Sequence, residues 1–163
     1  MTILSAFTLF HVILSLVGIF SGFIVVYGLI NSRRLNGWTS IFVWSTVLTS
    51  VTGYFFPFHQ LLPSHILGAI SLVVLAICVY ARYTRNLAGG WRKTYAVTAV
   101  LALYLNFFVL IVQLFAKVPA LHALAPTQSE APFKIAQLAA LILFVLIGYV
   151  SAKNFRADQF SPA

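Results

Sequence analysis

Acidic side chains and cysteine are almost missing from this chain. The only carboxylate side chains belong to Glu130 and Asp158, so hydrolysis by a pair of carboxylates acting as acid and base is a poor hypothesis. The single cysteine, Cys78, cannot form an internal disulfide or a CxxC pair, which excludes membrane thiol-redox enzymes that work through cysteine pairs. Charged residues make up 7% of the chain, whereas soluble domains contain about a quarter. This composition argues against a water-soluble protein.

Long hydrophobic runs take the place of the missing charge. Hydrophobic residues make up 61% of the 163 positions, and the mean hydropathy is +1.00. About 20 apolar residues suffice to cross a bilayer as a helix. The sequence therefore predicts one all-α membrane domain over residues 1–163, a bundle of five transmembrane helices. The predicted spans are about 3–30, 38–58, 65–83, 95–118 and 133–152.

The basic residues are divided unequally between the two sides of the predicted bundle. Lys117 and Lys134 fall on one side. The other eight are Arg33, Arg34, Arg82, Arg85, Arg92, Lys93, Lys153 and Arg156. Because basic residues in short loops stay in the cytoplasm, we expect the N-terminus outside, the C-terminus in the cytoplasm, and a multi-pass protein of the inner (plasma) membrane. This bias accounts for most of the net charge of +8 without a nucleic-acid partner.

Polar side chains within the spans predict a pocket that opens outward. The second span carries seven hydroxyls, which makes it a poor lipid-facing helix and places it inside the bundle. Asn106 and Gln113 lie seven residues apart on the fourth span, and polar groups within a membrane usually face the bundle or water. The predicted pocket residues are Asn106, Gln113, Thr49, Thr52 and Gln137. The alternative is that these amides simply hydrogen-bond the hydroxyl-rich second span.

Three histidines suggest a second interpretation of this pocket, as a site for a cofactor or a metal ion. His11 shares a small, polar helix face with Ser15, Gly18 and Gly22, and such a face packs on other helices. His59 and His65 lie at the tip of the hairpin between the second and third spans. Neutral imidazole binds haem iron and transition metals. We therefore consider His11, His65 and His59 as ligands of one b-type haem or one transition metal ion at an outer site. The alternative is that His59 and His65 are interfacial groups bonded to loop carbonyls.

Glu130 and Lys134 are four residues apart, the favourable order for a helical ion pair. We expect them to form that pair in the connection before the fifth span.

Resemblance to known families implies a fold and no activity. Five spans in 18.0 kDa is similar to the tryptophan-rich sensory proteins, but this chain has only Trp38, Trp44 and Trp91, so that family is rejected. Small bacterial b-type cytochromes usually hold two haems; this chain has no histidine in its inner half, so histidine pairs would hold one at most. Residues 55–58, 62–65 and 117–130 resemble small bacterial multi-spanning membrane proteins.

Three function hypotheses follow. The first is a haem- or metal-binding module, with electron transfer as its activity. The second is a non-catalytic accessory or assembly subunit of a larger membrane complex. The third is a small ligand-binding or transport protein. The sequence contains no Gly-rich phosphate loop, no HExxH and no nucleophile elbow, so we lean away from an enzyme. The expected partners are the lipid bilayer and either a membrane complex or a second copy of the chain.

Overall fold

The computed structural model describes residues 3–56 and 63–156. Within these ranges 84% of the residues are helical and none lies in a strand, so the predicted all-α class is confirmed for them. A π-helical segment, Tyr80–Thr84, continues the third helix. The α-helices are α1 (Ile3–Ile30), α2 (Asn36–Gly53), α3 (Pro63–Val79), α4 (Trp91–Lys117), α5 (Pro119–Leu124) and α6 (Ala131–Asn154).

Four helical segments are long and apolar enough to cross a membrane. They are Leu4–Ile30, His65–Thr84, Trp91–Lys117 and Ala131–Asn154, with mean hydropathies between 2.1 and 2.5. The 18 residues of α2 would reach about 27 Å at 1.5 Å per residue, but their seven hydroxyls lower their hydropathy. These four helices are apolar enough for contact with a lipid bilayer. Composition alone does not identify α2 as a span.

α1 packs closely against α2 and α4 because two of its positions have no side chain. An added Cβ at Gly22 would lie 2.6 Å from Leu103 Cδ1 and 3.0 Å from the Phe42 ring. One at Gly18 would lie 3.0 Å from Thr46 Oγ1. Both glycines belong to the small face of α1 that the sequence predicts as its packing surface. Close approach of helix backbones at small residues is typical of membrane bundles.

Several hydroxyls of α2 form hydrogen bonds within the helix itself. Ser45 donates to Ile41 O at 2.6 Å, and Thr49 donates to Ser45 O at 2.8 Å. Such bonds to the carbonyl one turn earlier satisfy the hydroxyl proton without a partner from another helix. The opposite face of α2 is apolar and exposed, with Trp44 66% exposed. α2 therefore has a hydroxyl-bearing side within the bundle and an apolar side facing outward.

The observed helix ends differ from the predicted ones. α2 ends at Gly53, and the predicted end at Phe58 lies outside the described residues. α4 begins at Trp91, one turn before the predicted start at Tyr95. The short α5 was predicted as part of a connection; it begins at Pro119, and proline is well suited to the first position of a helix.

The α1–α2 connection, the α3–α4 connection and the end of α6 meet at one end of the bundle, which we call the basic end. Ser32 donates to Arg156 O at 3.0 Å, and the Arg156 N–H donates back to Ser32 Oγ at 2.8 Å. Arg82 donates to Asn36 Oδ1, and Arg92 donates to Phe155 O. These bonds join the α1–α2 turn, the end of α3, the start of α4 and the end of α6.

The Glu130 carboxylate holds the connection before α6 and does not pair with Lys134 as the spacing predicted. It accepts hydrogen bonds from the Thr127 hydroxyl at 2.8 Å and from the Ser129 N–H at 3.1 Å. These donors are nearer in the chain and form a closed turn around the carboxylate, which outcompetes an exposed lysine on a flexible side chain.

Candidate functional site

A cavity of about 100 Å³ lies between α1, α2, α3 and α4, toward the end of the bundle opposite the basic end. One water molecule occupies about 30 Å³ in the liquid, so the cavity suits about three waters or a molecule of a few non-hydrogen atoms. Its lining is His11, Ser15, Thr46, Thr49, Ser50, Gly53, Leu67, Gly68, Ser71, Leu105, Asn106 and Val109.

His11 contributes the imidazole of this polar cavity. Its side chain is half-buried, and Nδ1 lies 2.8 Å from Thr52 Oγ1. The Thr52 hydroxyl also lies 2.7 Å from Leu48 O. A hydroxyl has one proton and the carbonyl can only accept, so the arrangement favours donation from His11 Nδ1–H to Thr52. In that tautomer, Nε2 of the neutral ring is a hydrogen-bond acceptor and a base.

Asn106 brings an amide from α4 to the same cavity. Ser15 donates to Asn106 Oδ1 at 3.1 Å, which joins α1 to α4. Within the part of the chain that the structure describes, the buried atoms Asn106 Nδ2 and Thr46 Oγ1 have no hydrogen-bond partner. An added Cβ at Gly18 would lie 3.0 Å from each of them, so both atoms face the same side of α1. A buried donor without a partner costs about 1–3 kcal/mol, which an acceptor in the cavity would recover.

The five predicted pocket residues do not all lie together. Asn106 and Thr49 line the cavity, and Thr52 lies beside it through its contact with His11. Gln113 is exposed, two turns further along α4. Gln137 is on α6 and donates from Nε2 to Phe108 O at 3.3 Å. The structure therefore brings the residues of α2 together with Asn106 and places both glutamines elsewhere.

His65 lies in a different environment from His11. It is buried, its ring centre is 5.5 Å from that of Tyr54, and its backbone carbonyl accepts a hydrogen bond from the Tyr54 hydroxyl at 2.6 Å. The His11 ring instead meets Phe56 edge-on at 5.1 Å. His59 lies outside the described residues. Among the residues that the structure describes, no group of three or more His, Cys, Asp or Glu side chains could hold a metal ion.

No family model, curated protein or solved structure matches the chain.

Four polar lining residues were not among the predicted pocket residues. They are Ser15, Thr46, Ser50 and Ser71. Spacing along α2 would have identified two of them, because Thr46, Ser50 and Gly53 recur at helical intervals of four and three residues on one face. Ser71 carries no such signal, since its position depends on how α3 is rotated against α2.

Proposed function

We propose that this protein is an integral membrane protein that binds a small hydrogen-bonding molecule in the polar cavity between α1, α2, α3 and α4. The observation that carries the proposal is a pair of buried atoms without hydrogen-bond partners in the described bundle, Asn106 Nδ2 and Thr46 Oγ1, both of which belong to residues that line the cavity. Polar groups inside a membrane are costly unless they are paired. A ligand with an acceptor atom would pair with Asn106 and leave His11 Nε2 to accept from a ligand donor.

The cavity also indicates the chemical class of the ligand. Drug-sized ligands occupy pockets of about 300–1,000 Å³, whereas this cavity has about 100 Å³. Among the described lining residues, His11 carries the one ionisable side chain. The ligand is therefore a small, neutral amide, alcohol or carbonyl compound.

A b-type haem or a transition metal has less support. A macrocycle is much larger than the cavity, and among the described residues His11 is the one imidazole that lines it. An accessory role in a membrane complex also remains a prediction. The buried Asn106 Nδ2 favours ligand binding over both, because it is a specific donor without a hydrogen-bond partner among the described residues.

We also propose five spans, with the N-terminus outside and the cavity toward the outer side. The exposed residues of α2 support its role as a span: Ile41, Trp44, Leu48 and Val51 form an apolar face. The eight basic residues in the connections and helix ends of the basic end support the orientation.

A thermal-stability experiment on the purified chain in detergent tests ligand binding. Acetamide, which has an acceptor and few atoms, should raise Tm, since a ligand of the folded state stabilises it. Ethylammonium, which only donates and is charged, should not. Asn106→Leu should abolish the response to acetamide. Gln113→Leu, the same change at an exposed position of the same helix, is the matched control and should keep it.

Two results would contradict the proposal. The first is an equal acetamide response in Asn106→Leu and Gln113→Leu, which would place the effect outside the cavity. The second is an equal response to acetamide and ethylammonium in the unmodified chain, which would indicate a general solvent effect.

A further inference from the structure

A second, larger concavity lies on the outside of the bundle between α4 and α6. It is an open groove of about 400 Å³. Its lining is almost wholly apolar and includes Val97, Leu101, Tyr104, Leu141, Val145 and Tyr149. All of these side chains except Tyr104 are exposed, so the groove opens away from the bundle toward the surroundings of the helices. In a bilayer those surroundings are lipid chains.

Two lysines extend the groove at the basic end. Lys93 lies one helical turn before Val97, and Lys153 lies one turn after Tyr149, so each shares a helix face with a groove residue. Arg92, near the start of α4, donates a hydrogen bond to the carbonyl of Phe155, just past the end of α6. The start of α4 therefore lies beside the end of α6. Both lysine side chains are exposed. The groove therefore runs from an apolar middle to a positively charged end.

We propose that this groove binds an anionic phospholipid, with an acyl chain along the apolar wall and the phosphate near Lys93 and Lys153. Basic residues next to a membrane-spanning helix attract anionic headgroups. Lysine also places its ammonium group at the level of the lipid phosphates while its methylenes cover apolar surface. This lipid site is separate from the polar cavity and does not depend on what that cavity binds.

Charge favours a lipid over a second copy of the chain as the occupant. A second copy in the same membrane has the same orientation, so its own basic end would lie level with Lys93 and Lys153. Like charges at that contact oppose association. A zwitterionic lipid would fill the groove but would supply no net negative charge to the lysines. An anionic lipid would contact the apolar wall of the groove with its acyl chain and the two lysines with its negative headgroup.

Native mass spectrometry of the full chain tests the headgroup contact. The probes are phosphatidylglycerol and phosphatidylcholine with identical acyl chains, added in equal amounts. The unmodified chain should retain more phosphatidylglycerol. Lys93→Gln with Lys153→Gln should lower that preference by about fivefold for each lysine. Lys117→Gln with Lys134→Gln, at the other ends of the same two helices, is the matched control and should leave it unchanged.

A second pair of variants tests the acyl-chain contact. Gly148 lines the groove, and a Cβ added there would lie at an ordinary 3.7 Å from Val100 Cγ1. Gly148→Ala should therefore retain lipid, whereas Gly148→Leu should fill the groove and lower the retention of both phospholipids. Circular dichroism checks that both variants keep their helices.

Three outcomes would overturn the lipid site. They are equal retention of the two lipids by the unmodified chain, an equal loss of preference in the two double-lysine variants, and equal retention by the two Gly148 variants. A lipid-free dimer as the main species would assign the groove to a second copy instead.

Discussion

The guanidinium carbon of Arg82 lies 5.0 Å from the centre of the Tyr95 ring. Arg82 belongs to the π-helical segment after α3 and is only 8% exposed. It also donates to Asn36 Oδ1. Within the described residues the one carboxylate side chain, Glu130, belongs to the connection at the other end of the bundle. The buried charge is therefore stabilised by an aromatic face and an amide.

A double-mutant cycle on Arg82→Gln and Tyr95→Leu should give a coupling free energy of about 2 kcal/mol, since a desolvated cation over a ring is worth about that much. Arg85 lies 5.3 Å from the Trp91 ring centre but is exposed, so the matching cycle should give about 0.5–1 kcal/mol. The measurement is reversible unfolding in mixed micelles. Equal coupling in both pairs would contradict the argument from burial.

Gly22→Ala should destabilise the bundle by about 1–3 kcal/mol, because the new methyl group overpacks the contact between α1 and α4. The added Cβ would lie 2.6 Å from Leu103 Cδ1. Gly148→Ala is the control, since its Cβ would be 3.7 Å from the nearest side chain. Unfolding under the same conditions measures both changes. A Gly22→Ala variant as stable as Gly148→Ala would show that α1 does not approach α4 this closely.

Reporter fusions test whether α2 crosses the membrane. A reporter inserted between Arg34 and Leu35 and one inserted between Gln60 and Leu61, on either side of α2 in the sequence, should lie on opposite sides of the membrane, with the first in the cytoplasm. The reason is the distribution of basic residues, eight against two. Two enzyme reporters, one active only in the cytoplasm and one active only in the periplasm, measure the side on which each insertion lies. Two reporters on one side would contradict the five-span proposal and leave α2 as a helix that does not span.

The Glu130 carboxyl should titrate below its usual value. The Thr127 hydroxyl, 2.8 Å away, lowers the pKa of Glu130 from 4.5. The folded-state pKa is below the unfolded one, so the carboxylate stabilises this turn above pH 4.5, and the stabilisation is lost as pH falls through the folded-state pKa. Carbon-13 NMR of the carboxyl measures the midpoint. Thr127→Val should raise it and Thr94→Val should not; identical midpoints in the two variants would contradict this assignment.

Particular residues show how far the candidate site was predictable. His11, Ser15, Gly18 and Gly22 repeat at helical spacing, so one face of α1 was identified before its partners were known. Asn106 was predicted to face inward by the same reasoning about polar groups in membranes. The same reasoning predicted that Gln113 faces inward, but Gln113 is exposed. Spacing along one helix does not show how far the neighbouring helices cover that helix.

The sequence by itself determined the helical class, the apolar segments and the division of basic residues between two ends. Each of these depends on local composition: a helix satisfies its own backbone, and a span needs only length and apolar side chains. The tertiary structure decided that Ser15 meets Asn106 across 91 positions and that Tyr54 packs against His65. Such contacts depend on the rotation and depth of each helix against its neighbours, which the close packing of small and large side chains sets for the whole bundle at once.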